Sequence, residues 1–180
     1  NHEYKEEREN LLKALAQAKA QGLLGNNVLG SGVNLDLQVF EGHGSYVAGE
    51  ETAMLESMQG RPAMPRQKPP FYPTDFGLYG KPTLVNNVET LCNIPRILLK
   101  GAAWFTQVGT EKCPGTMMFS LSGAVNRPGV YEMPMGTTIR ELVDKCGGGI
   151  PGGHKVKAVF PGGPAFSMVT AVQLDLTMDF

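Results

Sequence analysis

The chain changes from a strand-like to a helical pattern over the stretch Glu41-Gly-His-Gly-Ser-Tyr46-Val-Ala-Gly49-Glu50-Glu51. Before it, side chains alternate with period two over residues 35–40, which predicts a strand. After it, two carboxylates suit the positive end of a helix dipole, so we predict a helix from about Glu50 to Met58 that Gly60 ends.

The glycine-rich turn has two interpretations. Glycines let a ligand approach the backbone closely, and the start of the helix offers unpaired N–H groups. The turn matches neither GxGxxG nor the Walker A pattern, and most such turns are only tight turns. Glu50 and Glu51 would repel a bare phosphate, so a neutral or electron-poor ring edge is the better candidate ligand.

Helices and a proline-rich segment make up the rest of the first half. Apolar residues at helical spacing predict an amphipathic helix over Tyr4–Gln21. Six prolines between Arg61 and Pro82 remove amide donors, so we expect a long, stiff loop without regular structure. Asn86 or Asn87 can cap the next helix, which Pro95 should break or kink before a second apolar stretch at residues 97–105.

The composition changes near Gly109, and short elements follow. We predict a strand at 117–121, a turn at 126–129, a strand at 130–133, a helix at 139–146, and a strand at 156–160 ended by the turn 161–164. Thr138 and Glu141 predict a capping box for this helix. A hairpin, a crossing helix and a further strand indicate a small β-grasp-like unit, with a boundary near residue 110.

Charge and cysteine usage exclude several classes of protein. The net charge of -1 points neither to nucleic acid nor to an anionic membrane surface. No apolar run approaches the roughly 20 residues needed to span a bilayer. Three distant cysteines without a CxxC pair argue against a disulfide framework or a self-contained iron–sulfur site, and favour reduced, cytosolic thiols. The missing initiator Met suggests a piece of a longer protein.

A family resemblance emerges from these segments. Gly44-Ser-Tyr46-Val-Ala-Gly49-Glu50-Glu51-Thr-Ala resembles the G-x-Y-x-C-G-E-E-T-A segment in the family of 51-kDa-type flavoprotein subunits of NADH:quinone oxidoreductase, complex I. The resemblance continues through Lys68-Pro-Pro-Phe71-Tyr-Pro, Gly77-Leu-Tyr-Gly80-Lys-Pro-Thr, Val85-Asn86-Asn87-Val88-Glu89-Thr90-Leu and Gly115-Thr-Met-Met-Phe-Ser. Ser122-Gly-Ala-Val-Asn-Arg-Pro-Gly129-Val-Tyr131-Glu resembles the SLBB (soluble-ligand-binding β-grasp) domain of the same subunit.

The resemblance implies a fold in two parts. Residues 1–110 would be the C-terminal part of an α/β, partly Rossmann-like domain that binds FMN and NADH. Residues 111–180 would be the small α+β SLBB domain of the β-grasp type. One departure is Ala48, where the family usually has a cysteine, so no redox role is available at that position.

The same resemblance implies a set of cofactor-binding residues. Tyr46, Gly49, Glu50 and Glu51 would form a wall for FMN and the nicotinamide end of NADH, and Phe71 would contact the dinucleotide. The flavin side would be contacted by Val85, Asn86 and Asn87, which we therefore expect to lie near the Gly44–Glu51 turn. Hydride passes directly between the two rings, so we assign no catalytic side chain and no metal ligand, and we interpret His2, His43 and His154 as incidental.

Structural interpretations of these residues stay open beside the functional ones. Tyr46 could be a half-buried core tyrosine, and the two glutamates could be ordinary helix-start carboxylates. Phe71 could be a hydrophobic plug for its loop. The two asparagines could do no more than cap a helix, although capping and flavin contact are compatible.

The expected function is that of an electron-input subunit. It would transfer hydride from NADH to FMN and pass electrons to iron–sulfur subunits and, indirectly, to quinone. Its place would be cytoplasmic, without membrane insertion, or peripheral on the cytoplasmic side within a complex; nucleic acid is no expected partner. The alternatives are the NAD-binding diaphorase subunit of a soluble hydrogenase or formate dehydrogenase, and a non-redox SLBB interaction module.

The family's phosphate-wrapping glycine-rich loop and the four cysteines of its [4Fe–4S] cluster are missing from this sequence, so the cluster is expected only in the intact subunit. We predict that this chain alone is inactive and binds FMN no better than about the millimolar range, because a tight site buries about 70–90% of its ligand. Gel filtration with added FMN tests this. A stoichiometric yellow peak would contradict it.

Overall fold

The structure is a computed structural model that describes residues 2–163 and 166–179. The chain divides into two compact units, Asn1–Asn86 and Asn87–Phe180. Both mix short helices with irregular segments, and the strands pair into small two-stranded sheets. The boundary expected near residue 110 rests on composition and family resemblance, and it stays a prediction.

The first unit begins with helix α1, Lys5–Ala20, which confirms the helix predicted there. The strand predicted at residues 35–40 is wrong. Leu35 makes one isolated antiparallel bridge with Gly25, and the described residues offer the rest of the segment no partner strand. Alternation shows that a segment could bury one face of a strand, but a strand also needs a neighbour to bond with.

Helix α2, Glu51–Met58, supplies the buried centre of the first unit. Thr52, Ala53 and Leu55 are nearly or fully inaccessible to solvent. Thr52 and Leu55, three positions apart, lie on one side of the helix, and Ala53 adjoins Thr52. The predicted helix is confirmed, with Glu50 as its N-cap residue and Gly60 beyond its end at a positive φ of 77°.

The proline-rich segment contains more structure than predicted. Helix α3, Pro73–Phe76, and a 3-10 turn, Leu78–Gly80, form within it, so the expectation of no regular structure over 61–82 is wrong. Pro73 occupies the first turn of α3, where a missing N–H costs no helical hydrogen bond. Prolines therefore exclude the interior of a helix from this segment but not its beginning.

The second unit opens with helix α4, Val88–Lys100, which Asn87 caps by accepting a hydrogen bond from the Glu89 amide at 2.9 Å. Of the two effects predicted for Pro95, the break does not occur, since α4 continues through it, and the kink stays a prediction. One lost donor is tolerated where hydrogen bonds on both sides persist. Helix α5, Ala102–Phe105, follows directly.

A hairpin and a capped helix form next, as predicted. Strands β1, Thr116–Leu121, and β2, Gly129–Pro134, pair antiparallel. Helix α6, Ile139–Glu141, starts with a complete capping box and continues as one wider π-helical stretch, Leu142–Cys146. The predicted hairpin and helix are both confirmed.

The last strands are shorter than expected. Strand β3, Ala158–Val159, covers only part of the predicted 156–160 and pairs with β4, Val169–Thr170. Pro164, in the predicted closing turn, lies outside the described residues. The core of this unit is a cluster of buried apolar side chains: Ile139, Val143, Val169 and Leu174.

No helix within residues 2–163 and 166–179 is both long enough and apolar enough to cross a bilayer.

The capping box of α6 gives a stability prediction. Thr138→Ala removes the hydroxyl that accepts from the Glu141 amide at 3.1 Å, and should lower the free energy of unfolding by about 1 kcal/mol. Thr138→Ser keeps the hydroxyl and is the matched control, measured beside it by denaturant unfolding. Equal losses in both variants would show that the cap contributes nothing.

Candidate functional site

Tyr46 begins the 3-10 turn Tyr46–Gly49 and is 97% exposed. It lies at the rim of an apolar cavity that Phe40, Met54 and Met58 also line. A tyrosine that packs a core would be largely inaccessible, so the interpretation of Tyr46 as a half-buried core residue does not fit. The ring is instead free to meet a ligand.

Two glycines of this turn have different reasons for lacking a side chain. Gly44 has a φ of +148°, and a Cβ there would lie 2.9 Å from the Ala48 Cβ, so the turn itself requires glycine. At Gly49 a Cβ would meet nothing within 4 Å. The backbone at Gly49 is therefore open, and a flat ring could approach it.

Glu50 has a defined structural role at the start of α2. One carboxylate oxygen, Oε2, accepts hydrogen bonds from the backbone amides of Thr52 and Ala53, both at 2.9 Å, and from the Thr52 hydroxyl. The other oxygen, Oε1, lies 3.0 Å from the Lys68 ammonium. Glu50 is thus a helix-start carboxylate, as the structural interpretation proposed, and the cap and Lys68 occupy both of its oxygens.

These contacts fix the ionisation of the site. Burial raises the pKa of Glu50, but hydrogen bonds from Thr52, Ala53 and Lys68 outweigh it and lower the pKa from 4.5 to about 2. Hydrogen bonds to Glu51 and Glu50 raise the pKa of Lys68 above its ordinary 10.5. At neutral pH both partners are charged.

Lys68 is a site residue that the sequence reasoning missed. Its ammonium also hydrogen-bonds the Glu51 carboxylate, so one cation is shared by two anions. The repulsion of a phosphate by Glu50 and Glu51, expected from the sequence, is therefore partly offset. The pairs span 18 and 17 residues, and no local pattern announces such a contact.

Phe71 lies in the proline-rich segment a few residues beyond Lys68. Its ring meets that of Phe76 edge to face at 6.0 Å, and both are about half exposed. They share a shallow cavity with Met64 and Tyr79. This geometry fits both the plug and the ligand-contact interpretation of Phe71.

The remaining predicted residues lie where the first unit ends and the second begins. Val85 is half-buried, and the side chains of Asn86 and Asn87 are exposed. Asn87 is the residue that caps α4. The approach of these residues to the Gly44–Glu51 turn stays a prediction.

Comparison with known proteins decides the family. The model of the Nuo51 FMN-binding domain, Complex1_51K, matches residues 1–96. The chain belongs to this family. The SLBB domain model matches residues 118–168, so a Nuo51 FMN-binding region is followed by an SLBB domain.

Curated relatives match nearly the whole chain. The F subunit of NADH-quinone oxidoreductase of Escherichia coli is 48% identical over 178 residues, which are 99% of this chain and 40% of the relative. The F 2 subunit of the same enzyme of Rhizobium meliloti is 49% identical over 168 residues, or 93% and 40%. The chain thus spans about two fifths of the length of these relatives.

A solved structure is similar as well. A chain of the NAD+-reducing [NiFe]-hydrogenase in the H2-reduced state superposes with a TM-score of 0.73 at 39% identity, covering 82% of this chain and 25% of that one. Within the part of this chain that the structure describes, no group of three or more His, Cys, Asp or Glu side chains could hold a metal ion.

The depressed pKa of Glu50 gives a prediction for stability against pH. Because the folded pKa of about 2 lies below 4.5, the ionised cap stabilises the fold fully above about pH 5 and loses its effect as the pH falls through both values. Glu50→Gln should therefore lower the free energy of unfolding at pH 7 but hardly change it below pH 2. The measurement is denaturant unfolding at both pH values. An equal difference at the two would contradict the assignment.

Proposed function

We propose that this chain is the part of an NADH-oxidising flavoprotein subunit that orients NADH against FMN. The supporting observation is the exposed Tyr46 ring beside the open backbone of Gly49, at the start of a helix whose carboxylates share Lys68. This arrangement lies inside the segment that the FMN-binding domain model matches. The similarity to NADH-quinone oxidoreductases supports the same activity.

The residues present fit a flavin. An exposed aromatic ring offers a stacking surface, and the open space at Gly49 admits a flat ring to the backbone. Lys68 offsets one of the two negative charges, and Glu51 presents a hydrogen-bond acceptor. FMN, when bound, supplies the hydride-accepting chemistry.

The role of the side chains in this proposal is to bind NADH and FMN and to orient their rings. We assign Tyr46 and Gly49 to the wall beside the rings, Phe71 to an aromatic contact with the dinucleotide, and Glu51 to a hydrogen-bond acceptor. Glu50 acts mainly by fixing the turn, because its Oε2 is occupied by the helix cap. Rates depend steeply on such placement, since an error of about an ångström can cost on the order of a hundredfold.

The second half of the proposed pocket comes from residues around the start of α4. Val85, Asn86 and Asn87 would contact the flavin side, and Asn87 can do so while its Oδ1 caps the helix.

We propose a Rossmann-like arrangement for the FMN-binding part and a β-grasp for the SLBB part, with the boundary near residue 110. We propose these two arrangements for the full-length protein.

The wider function follows that of the relatives. We propose that electrons pass from FMN to iron–sulfur centres, including a [4Fe–4S] cluster of the intact subunit, then to the iron–sulfur subunits of the same complex and indirectly to quinone. We place the protein in the cytoplasm, peripheral to the membrane within such a complex.

A second candidate is the NAD-linked subunit of a soluble hydrogenase, which the superposition on the NAD+-reducing [NiFe]-hydrogenase supports. The quinone-linked relatives are 48–49% identical, against 39% for this hydrogenase chain, and they favour the first candidate. No observation favours formate dehydrogenase. Purification with bound partners discriminates: hydrogen-dependent NAD+ reduction supports the second candidate.

Two substitutions test the proposed site. In the intact subunit, Tyr46→Ala removes a ring from the stack and Glu51→Gln removes a charged acceptor, so both should lose NADH:ferricyanide turnover, by about a hundredfold for Tyr46→Ala, with the fold kept. Glu6→Gln is the control for the second change, because Glu6 lies in the first turn of α1 as Glu51 does in α2. Unchanged turnover in both site variants would return these residues to a structural role.

A further inference from the structure

A partly buried ion pair connects helix α2 to the proline-rich segment. The Arg66 Nε lies 2.5 Å from the Glu56 Oε1, and the two side chains are only 14% and 13% exposed. The Arg66 backbone amide donates to the Thr52 hydroxyl at 2.8 Å. Arg66 is therefore fixed to α2 through its main chain and its side chain.

The same guanidinium closes the loop that carries Lys68 and Phe71. Its Nη1 donates to the backbone oxygen of Phe76 and lies 3.4 Å from the backbone oxygen of Gly77. Arg66 stands at the beginning of the loop and these carbonyls at its end. One side chain thus joins both ends of the segment 66–77 to α2.

The far end of this loop is held in place by close packing. Gly77 is buried, and a Cβ there would lie 2.2 Å from the Thr83 Oγ1. Its amide donates to the Lys81 oxygen at 2.9 Å. The carbonyls that Arg66 contacts therefore belong to a closely packed end of the loop. The position of the loop depends on the contacts that Arg66 makes with Glu56 and with these carbonyls.

We propose that Arg66, anchored by Glu56, is a positioning residue for dinucleotide binding. In this role Arg66 acts through other residues. It sets where Lys68 meets the two glutamates and where Phe71 presents its ring. This rests on the proposed function, since it explains how that site is held. A planar guanidinium with several donors can hold a carboxylate and carbonyls together, which a lysine ammonium on a flexible stem cannot reproduce.

The test is Arg66→Lys in the intact, flavin-loaded subunit. The KM for NADH should rise about tenfold while kcat stays within about twofold of wild type. The loop would no longer be held in its binding position before NADH arrives, but saturating NADH would restore that position. A merely structural role would instead reduce the active fraction, lowering kcat with KM unchanged. Either that result or a wild-type KM would overturn the proposal.

A second readout is independent of activity. Chymotrypsin should cut after Phe71 or Phe76 faster in Arg66→Lys than in wild type, and NADH should slow the cut in both. Arg61→Gln is the matched control, because Arg61 pairs with the same Glu56 at 3.3 Å but is 65% exposed and holds no loop carbonyl. It should leave both KM and cleavage unchanged.

Two further outcomes keep the proposals separate. If Arg66→Lys does not fold, Glu56→Gln is the substitute, because it weakens the ion pair without removing Arg66. The KM for NADH must then rise, but by less than the roughly tenfold expected for Arg66→Lys. Suppose that Tyr46→Ala and Glu51→Gln abolish turnover while both variants of the ion pair bind NADH with the wild-type KM. In that case the positioning role of Arg66 is wrong and the proposed site stands. If the site variants keep full turnover, the proposed function itself fails.

Discussion

The N-terminal turn of α2 is the constraint on which the first unit depends. Glu50 ends the glycine-rich turn and accepts hydrogen bonds from the first unpaired amides of α2. It also forms an ion pair with Lys68, 18 residues further along the chain. The helix then offers Thr52 and Glu56 to Arg66, so the turn and the proline-rich segment are both held by one short element.

This organisation suits a reaction that needs orientation more than proton transfer. In the proposed function hydride would move between two rings, so the protein would contribute by stacking, by hydrogen bonds and by the placement of charge. Hydrogen bonds from Thr52, Ala53 and Lys68 outweigh burial and lower the pKa of Glu50 to about 2. Lys68 is shared with the Glu51 carboxylate. The exposed ring of Tyr46 and the open backbone of Gly49 form the surface that we propose for the two rings.

Features set by neighbours along the chain could be predicted from the sequence. The Thr138 and Glu141 capping box and the Asn87 cap depend on residues two or three positions apart. The β1–β2 hairpin follows from alternation on both sides of one turn, and the structure confirms all three features. The segment 35–40 could not be judged this way, because a strand needs a partner that alternation does not specify. Pro73 shows the same limit, since its effect depends on its place within a helix.

The candidate site was predictable only in part for a related reason. Family resemblance singled out Tyr46, Glu50 and Glu51, but the roles of Lys68 and Arg66 arise from contacts with residues 10 to 18 positions away. No periodicity or motif marks such pairs. They become visible only when the proline-rich segment folds back along α2.

The most direct test of the account is amide hydrogen exchange in the intact subunit with and without NADH. If α2 and the proline-rich segment together hold the dinucleotide, NADH should slow exchange in peptides covering residues 44–55 and 66–80. Peptides covering β1 and β2 should exchange at the same rate in both samples. Protection confined to residues 116–134, with none in the two segments of the first unit, would contradict the account.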